Sequence, residues 1–160
     1  MTLHEIGLLH NFNRHEKDIF GRQIFHAYEE IKFDLMKKID LAVELAKQTY
    51  GEEQGAFIVH DINLGEHGAS SYHYSGEAID GHFRGITLYQ AALLLFKFRF
   101  GAIGLYPDWE HKGIHADVRN QDHVSTWVHH RGQYIYDWNY FDEQMGLEIE
   151  CEQYNGRKYN

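Results

Sequence analysis

Two short stretches restrict the fold of this chain more than any other feature of it. In "GIHADVR", residues 113–119, apolar and polar residues alternate strictly, the pattern of a β-strand whose successive side chains point to opposite faces of a sheet. Ile114, Ala116 and Val118 share one face, and His115, Asp117 and Arg119 share the other. Read the same way, "GEAIDGHFRG" sets Ala78, Asp80, His82 and Arg84 on one side. The apolar face of such a strand needs helices or a second sheet to cover it. The polar face is costly to bury unless it is solvated or holds a site, and the alternation alone leaves both readings open.

The cover is legible upstream. From about Glu29 to Tyr50, Ile31, Leu35, Ile39, Ala42, Leu45, Ala46 and Thr49 recur at helical spacing, and Gly51 follows as a stop. Thr87 with Gln90 three residues on is a capping-box pattern, and the "AALLLFKF" behind it predicts a buried second helix. Short strands are predicted at "AFIVHDI", at "AIGLYP" closed by Pro107, at "GIHADVR" and at "GQYIYDW". The tail "EIECEQYNGRKYN" offers one further edge strand. The N-terminal "LHEIGLLHNFNRHEKDIFGRQIF" is irregularly amphipathic and is a weaker helix candidate. Helices first and short strands later predict an α+β fold, with N-terminal helices packed on a small, mainly antiparallel sheet. At 160 residues, without linkers or repeats, one domain over 1–160 is expected.

Composition limits the chemistry. A net charge of −9, with no local Lys/Arg cluster, argues against nucleic acid as a partner. The single cysteine, Cys151, rules out an intrachain disulfide and a multi-cysteine zinc knuckle. The first 30 residues have no apolar signal core, and "AALLLFKF" is too short to span a bilayer, so no membrane insertion is expected. What stands out is 13 histidines, since imidazole is the commonest metal ligand and proton shuttle near neutral pH.

A catalytic zinc uses three nitrogen or oxygen ligands and keeps a fourth position open. His73 and Asp80, separated by a glycine-containing turn, together with His115 from a distant strand, meet that description. Spacing alone is weak support, because so many histidines produce accidental pairs. His111 and His115 have helical spacing, but Gly113 and the strand pattern oppose a helix there. His129, His130, His4, His10 and His15 are expected at the surface.

The residues also carry a resemblance. "SSYHYSGEAID" fits S-x-H-x-x-G-x-A-x-D through Ser71, His73, Gly76, Ala78 and Asp80. This resembles the signature of the zinc D-Ala-D-Ala carboxypeptidases, whose relatives include phage endolysin peptidases sharing the hedgehog/DD-peptidase fold. "GAIGLYPDWEHKGIHADVR" is similar to that family's second motif, a glycine-rich strand ending in Tyr-Pro followed by a strand bearing His-x-Asp. The likeness covers about residues 30–120.

The resemblance implies a Zn2+ held by His73, Asp80 and His115, and a metallopeptidase acting on the stem or cross-link peptides of peptidoglycan. It implies loop-shaping roles for Ser71 and Gly76. Many members carry an acid three residues before the second histidine, where Lys112 stands here. Asp117 is then the expected base, with Glu110 in reserve; alternatively Asp117 is a ligand and His115 the base. The arginine that commonly ends the preceding strand is replaced by Asn63, so Arg84 or Arg119 is expected to hold the oxyanion or a peptide carboxylate, or else to form a surface salt bridge. Of Tyr72, Tyr74, Tyr106, Trp109 and Trp127, two at most are expected to wall the cleft. With no signal peptide, the expected location is cytoplasmic or phage-associated, acting on the wall after release. The competing expectations are a zinc-binding module without catalysis, and a metal-free protein.

Overall fold

A computed structural model describes residues 1–137 and 139–144. The tail strand expected after residue 146, and Cys151, lie outside the described residues.

The architecture is mixed α/β. Among the described residues, helices α1 (Leu3–Ile6), α2 (Phe33–Tyr50) and α3 (Leu88–Lys97), a 3-10 turn at Tyr28–Glu30 and a helical segment at 139–144 accompany six strands. The strands are β1 (Phe57–Asp61), β2 (Ala78–Phe83), β3 (Ala102–Tyr106), β4 (Gly113–Asp117), β5 (Ser125–His130) and β6 (Gln133–Ile135). They form one sheet in the order β1-β2-β4-β3-β5-β6. Every pairing is antiparallel except β3 with β5, so the expected α+β class and mainly antiparallel sheet are observed.

Local chemistry explains the elements. In α3 the Thr87 hydroxyl accepts from Gln90 N and the Gln90 side chain accepts from Thr87 N, closing the capping box read in the sequence. Gly51 ends α2 at φ 108, a conformation that favours glycine. The N-terminal stretch departs from the helix expectation. Only Leu3–Ile6 is helical, because Asn13 Oδ1 accepts from His15 N, and Asp18 Oδ1 accepts from Phe20 N and Arg22 N. These side chains offer the backbone local turns in place of a helix. No helix among the described residues is long and apolar enough to cross a membrane.

The helices cover one face of the sheet, α2 over β2 and α3 over β3 and β4. Leu35, Ile39 and Val43 of α2 meet Ile79, Ile103, Ile114 and Ala116 in a core in which each is at most 1% exposed. Each large aliphatic buried there contributes about 1.5–3 kcal/mol. The opposite face belongs to the polar residues of β2 and β4, now aligned side by side, with Asp80 paired to His115 across the ladder. That face is not a solvated surface: His115 is 7% exposed and Asp117 is fully buried.

β5 is not evident in the sequence. In "STWVHH" only Val128 joins the apolar core, which leaves too little periodicity to mark a strand. The structure nevertheless uses it to carry Trp127 onto the polar face.

Candidate metal centre

His73, Asp80 and His115 converge. His73 Nε2 lies 3.4 Å from Asp80 Oδ1, His115 Nδ1 lies 2.8 Å from the same oxygen, and the two imidazole nitrogens are 3.2 Å apart. These three could hold a metal ion among them. Two belong to neighbouring strands; the third arrives on a loop fixed by its own backbone.

That loop explains the spacing in "SSYHYSGEAID". Ser71 Oγ accepts from His73 N, Gly76 N donates to His73 O, and Glu77 N donates to Tyr72 O, which curls the chain around His73. Gly76 has φ 65, and a Cβ there would overlap the carbonyl oxygen of Glu30, where Lys32 N docks onto Gly76 O at 2.9 Å. Only glycine fits both constraints. The loop-shaping roles of Ser71 and Gly76 follow directly.

The outer nitrogens of both histidines are already assigned. His73 Nδ1 donates to the Ile62 carbonyl at 2.6 Å, and His115 Nε2 donates to Asp117 Oδ2 at 3.2 Å. Once the inner proton is displaced, each bond would fix the tautomer that turns the inner lone pair toward the shared centre, as metal-ligating histidines are held. Burial would raise the Asp80 carboxyl, but hydrogen bonds from His115 and His73 outweigh it and hold the group well below the usual carboxylate range. Burial would lower His115, but Asp117 and Asp80 raise it to about 9. Two carboxylates thus set up a buried negative field that draws a cation, here a proton. Two imidazoles and one carboxylate, each oriented from behind, fit zinc in donor type and number.

Asp117, the expected base, meets His115 from its outer side. Arg119 Nε reaches its two oxygens at 2.8 and 2.9 Å, a second guanidinium nitrogen also contacts Oδ2, and that oxygen takes the His115 Nε2 proton. Asp117 therefore stands behind His115, away from the shared centre, and positions that ring. Burial would raise its pKa, but His115 and Arg119 hold it down. Arg84, expected at an oxyanion or peptide carboxylate or else in a surface salt bridge, is exposed past the end of β2 and lines neither of the two cavities. Arg119 does reach the main cavity, stacked over Tyr72 at 4.4 Å. Glu110 is exposed and borders a neighbouring cavity instead. Asn63 bonds to Glu30 through Nδ2, while its buried Oδ1 has no partner.

The cavity in front of the three ligands has a volume of about 670 Å³. Tyr72, Tyr106, Trp109 and Trp127 all line it, more than the two expected, whereas Tyr74 instead hydrogen-bonds through its hydroxyl to the backbone of His67. Gly104 makes room for Trp127, whose ring would collide with any Cβ there and which lies 5.0 Å from the His115 ring. Sequence reasoning missed Tyr134 and Tyr136, which complete the wall from beyond β5.

It also missed His67 and Asp61. The His67 ring stacks on that of His73, with centroids 3.9 Å apart and planes within 2°, and its Nε2 bonds to Asp61 Oδ2 at 2.6 Å. Asp61, His67 and His73 form a second group close enough to bind an ion. The only sequence signals are a histidine in the polar loop "GEHGASS", six residues before His73, and an aspartate closing "FIVHD". His4, His10 and His15 are exposed, as expected.

Comparison with known proteins leaves the site to speak for itself: no family model, no curated protein and no solved structure matches this chain.

Proposed function

We propose that the chain is a zinc-dependent peptidase that cleaves peptide bonds in the stem or cross-link peptides of bacterial peptidoglycan. The observation that carries this reading is the convergence of His73 Nε2, Asp80 Oδ1 and His115 Nδ1 on the floor of an aromatic-walled cavity, with each outer imidazole nitrogen already bonded. Zinc bound there would polarise a scissile carbonyl and acidify the attacking water toward a pKa of about 7.

The remaining roles fall to the chain's own side chains. Asp117 holds His115 in the tautomer that presents Nδ1, and Arg119 keeps Asp117 ionised. Arg119 also faces the cavity, where its guanidinium offers hydrogen bonds to a substrate carboxylate or developing oxyanion. With Asp117 turned away, the proton acceptor is assigned to His67, which lines the cavity and is oriented through Nε2 by Asp61. Tyr72, Trp109 and Trp127 present flat apolar walls to the substrate and shield the reacting centre from bulk water. The hedgehog/DD-peptidase fold belongs to the same reading, and the α+β architecture with its two ordered motifs supports it. So does a location in the cytoplasm or with a phage until release onto the wall.

One observation favours a second reading, a zinc-binding wall or virion module without catalysis: the acid expected as base is committed to His115 and Arg119. Mass spectrometry of products from purified peptidoglycan separates the two. A new amine and carboxylate pair, dependent on zinc and lost with chelator and in His73→Ala, supports the peptidase. No product across several wall types, from protein that retains zinc, supports the module.

A further inference from the structure

Beside the centre, on the same open face of the sheet, lies a group of imidazoles that the proposed chemistry does not use. The register of β1 on β2 slips between Val59 and Asp61, so His60 sits in a bulge. Bulges re-aim side chains, and here Arg22 satisfies the His60 carbonyl while the His60 ring turns toward β2. His60 Nε2 then faces His82 Nδ1 at 2.7 Å. The His111 ring, from the β3–β4 connection, stacks on His82 with centroids 5.2 Å apart and planes within 14°. The three rings come from three separate segments. His60 and His111 border a cavity of about 460 Å³, together with the Glu110 carboxylate.

We infer that His60, His82 and His111 form a second, imidazole-only site for a divalent transition-metal ion, separate from the His73–Asp80–His115 centre. Two nitrogens bound to one ion at about 2.0–2.1 Å stand roughly 2.9–3.4 Å apart, so the facing nitrogens of His60 and His82 need to open by only a few tenths of an ångström. Without an ion, the pair is held by one shared proton, since one ring must donate to the other. An ion replaces that single hydrogen bond with two ligand bonds. The exposed His111 is free to swing its ring from the stack to supply a third. A donor set of neutral imidazoles, without thiolate, selects for zinc, nickel or copper over magnesium or calcium.

The test is a competition titration of metal-free protein with Zn2+ and Ni2+ against a chromophoric chelator. Wild type should bind two equivalents and His73→Ala one. In the His73→Ala background, adding His82→Ala should remove the remaining equivalent. His111→Ala, an exposed change that leaves the core intact, should weaken it about tenfold or more, since even outer partners of a metal are worth about 10–100-fold. His129→Ala should leave it unchanged. Circular dichroism of each metal-free variant confirms that it is folded. The inference is overturned if His73→Ala binds no metal, or if its bound equivalent is indifferent to both His82→Ala and His111→Ala. If His73→Ala instead keeps two equivalents, of which His111→Ala weakens one, the second site stands and the first assignment fails.

Discussion

The two faces of β4 are both buried, yet they are built from opposite chemistry. Ile114 and Ala116 point to the helices and are held by packing that is indifferent to pH and ions. His115 and Asp117 point the other way, almost as deeply buried, and are held by a chain of hydrogen bonds running from Arg119 through Asp117 and His115 to Asp80 and His73. An apolar face stabilises the fold by leaving water. A buried polar face loses its hydration, and every group must find a partner to offset the loss. The first face makes the sheet a fold; the second makes it a site.

The contrast is broken most severely by deleting a ligand. His115→Ala should abolish zinc binding at the centre while leaving a folded protein, measured by zinc content after dialysis together with the melting temperature. On the other face, Ile79→Ala should cost about 2–5 kcal/mol in urea unfolding and leave zinc affinity unchanged. A loss of affinity in that variant would mean that the faces are not separable.

Next in size is the outer partner. Asp117→Asn should weaken zinc binding about 10–100-fold by loosening His115, whereas a variant at the true proton acceptor should slow turnover with zinc affinity intact. His67→Ala should behave in that second way. If Asp117→Asn stops turnover without touching affinity, Asp117 is the base after all.

Acidity sharpens the comparison further. His115 is raised to about 9 in the metal-free protein, above its ordinary 6.5, so its charge stabilises the fold fully below pH 6.5 and that contribution is lost as pH rises through 9. Zinc must displace the same proton, so its affinity should climb about tenfold per pH unit between 6.5 and 9 and then level off. Isothermal titrations across that range would show it, and a flat profile would remove His115 from the ligand set. The smallest effect belongs to Arg84→Ala, whose exposed side chain should change zinc affinity and turnover by less than about twofold.

Both faces of the key strands were legible in the sequence, because a period of two is a local signal. His73, Asp80 and His115 were found from residue type and motif order, and the capping box at Thr87 was read directly. What escaped notice depends on contacts between distant segments. Whether the polar face was solvated or buried turned on Trp127, delivered by a strand with almost no pattern of its own. Asp117 shares a face with His115, as the alternation implied. Periodicity, however, does not say whether a carboxylate meets the inner or the outer nitrogen of its neighbour. Arg84 was placed by extending the alternation beyond Phe83, where β2 has ended. His67 lies in a loop, where no period applies, and only its stack on His73 reveals it.

On the reading proposed above, the buried polar face holds a metal. Anomalous diffraction at the zinc edge from crystals of the zinc-loaded protein tests it most directly. A peak is expected about 2.0–2.2 Å from His73 Nε2, Asp80 Oδ1 and His115 Nδ1. Zinc bound elsewhere, with those three side chains still hydrogen-bonded only to one another and to their outer partners, would rule out a metal at this centre.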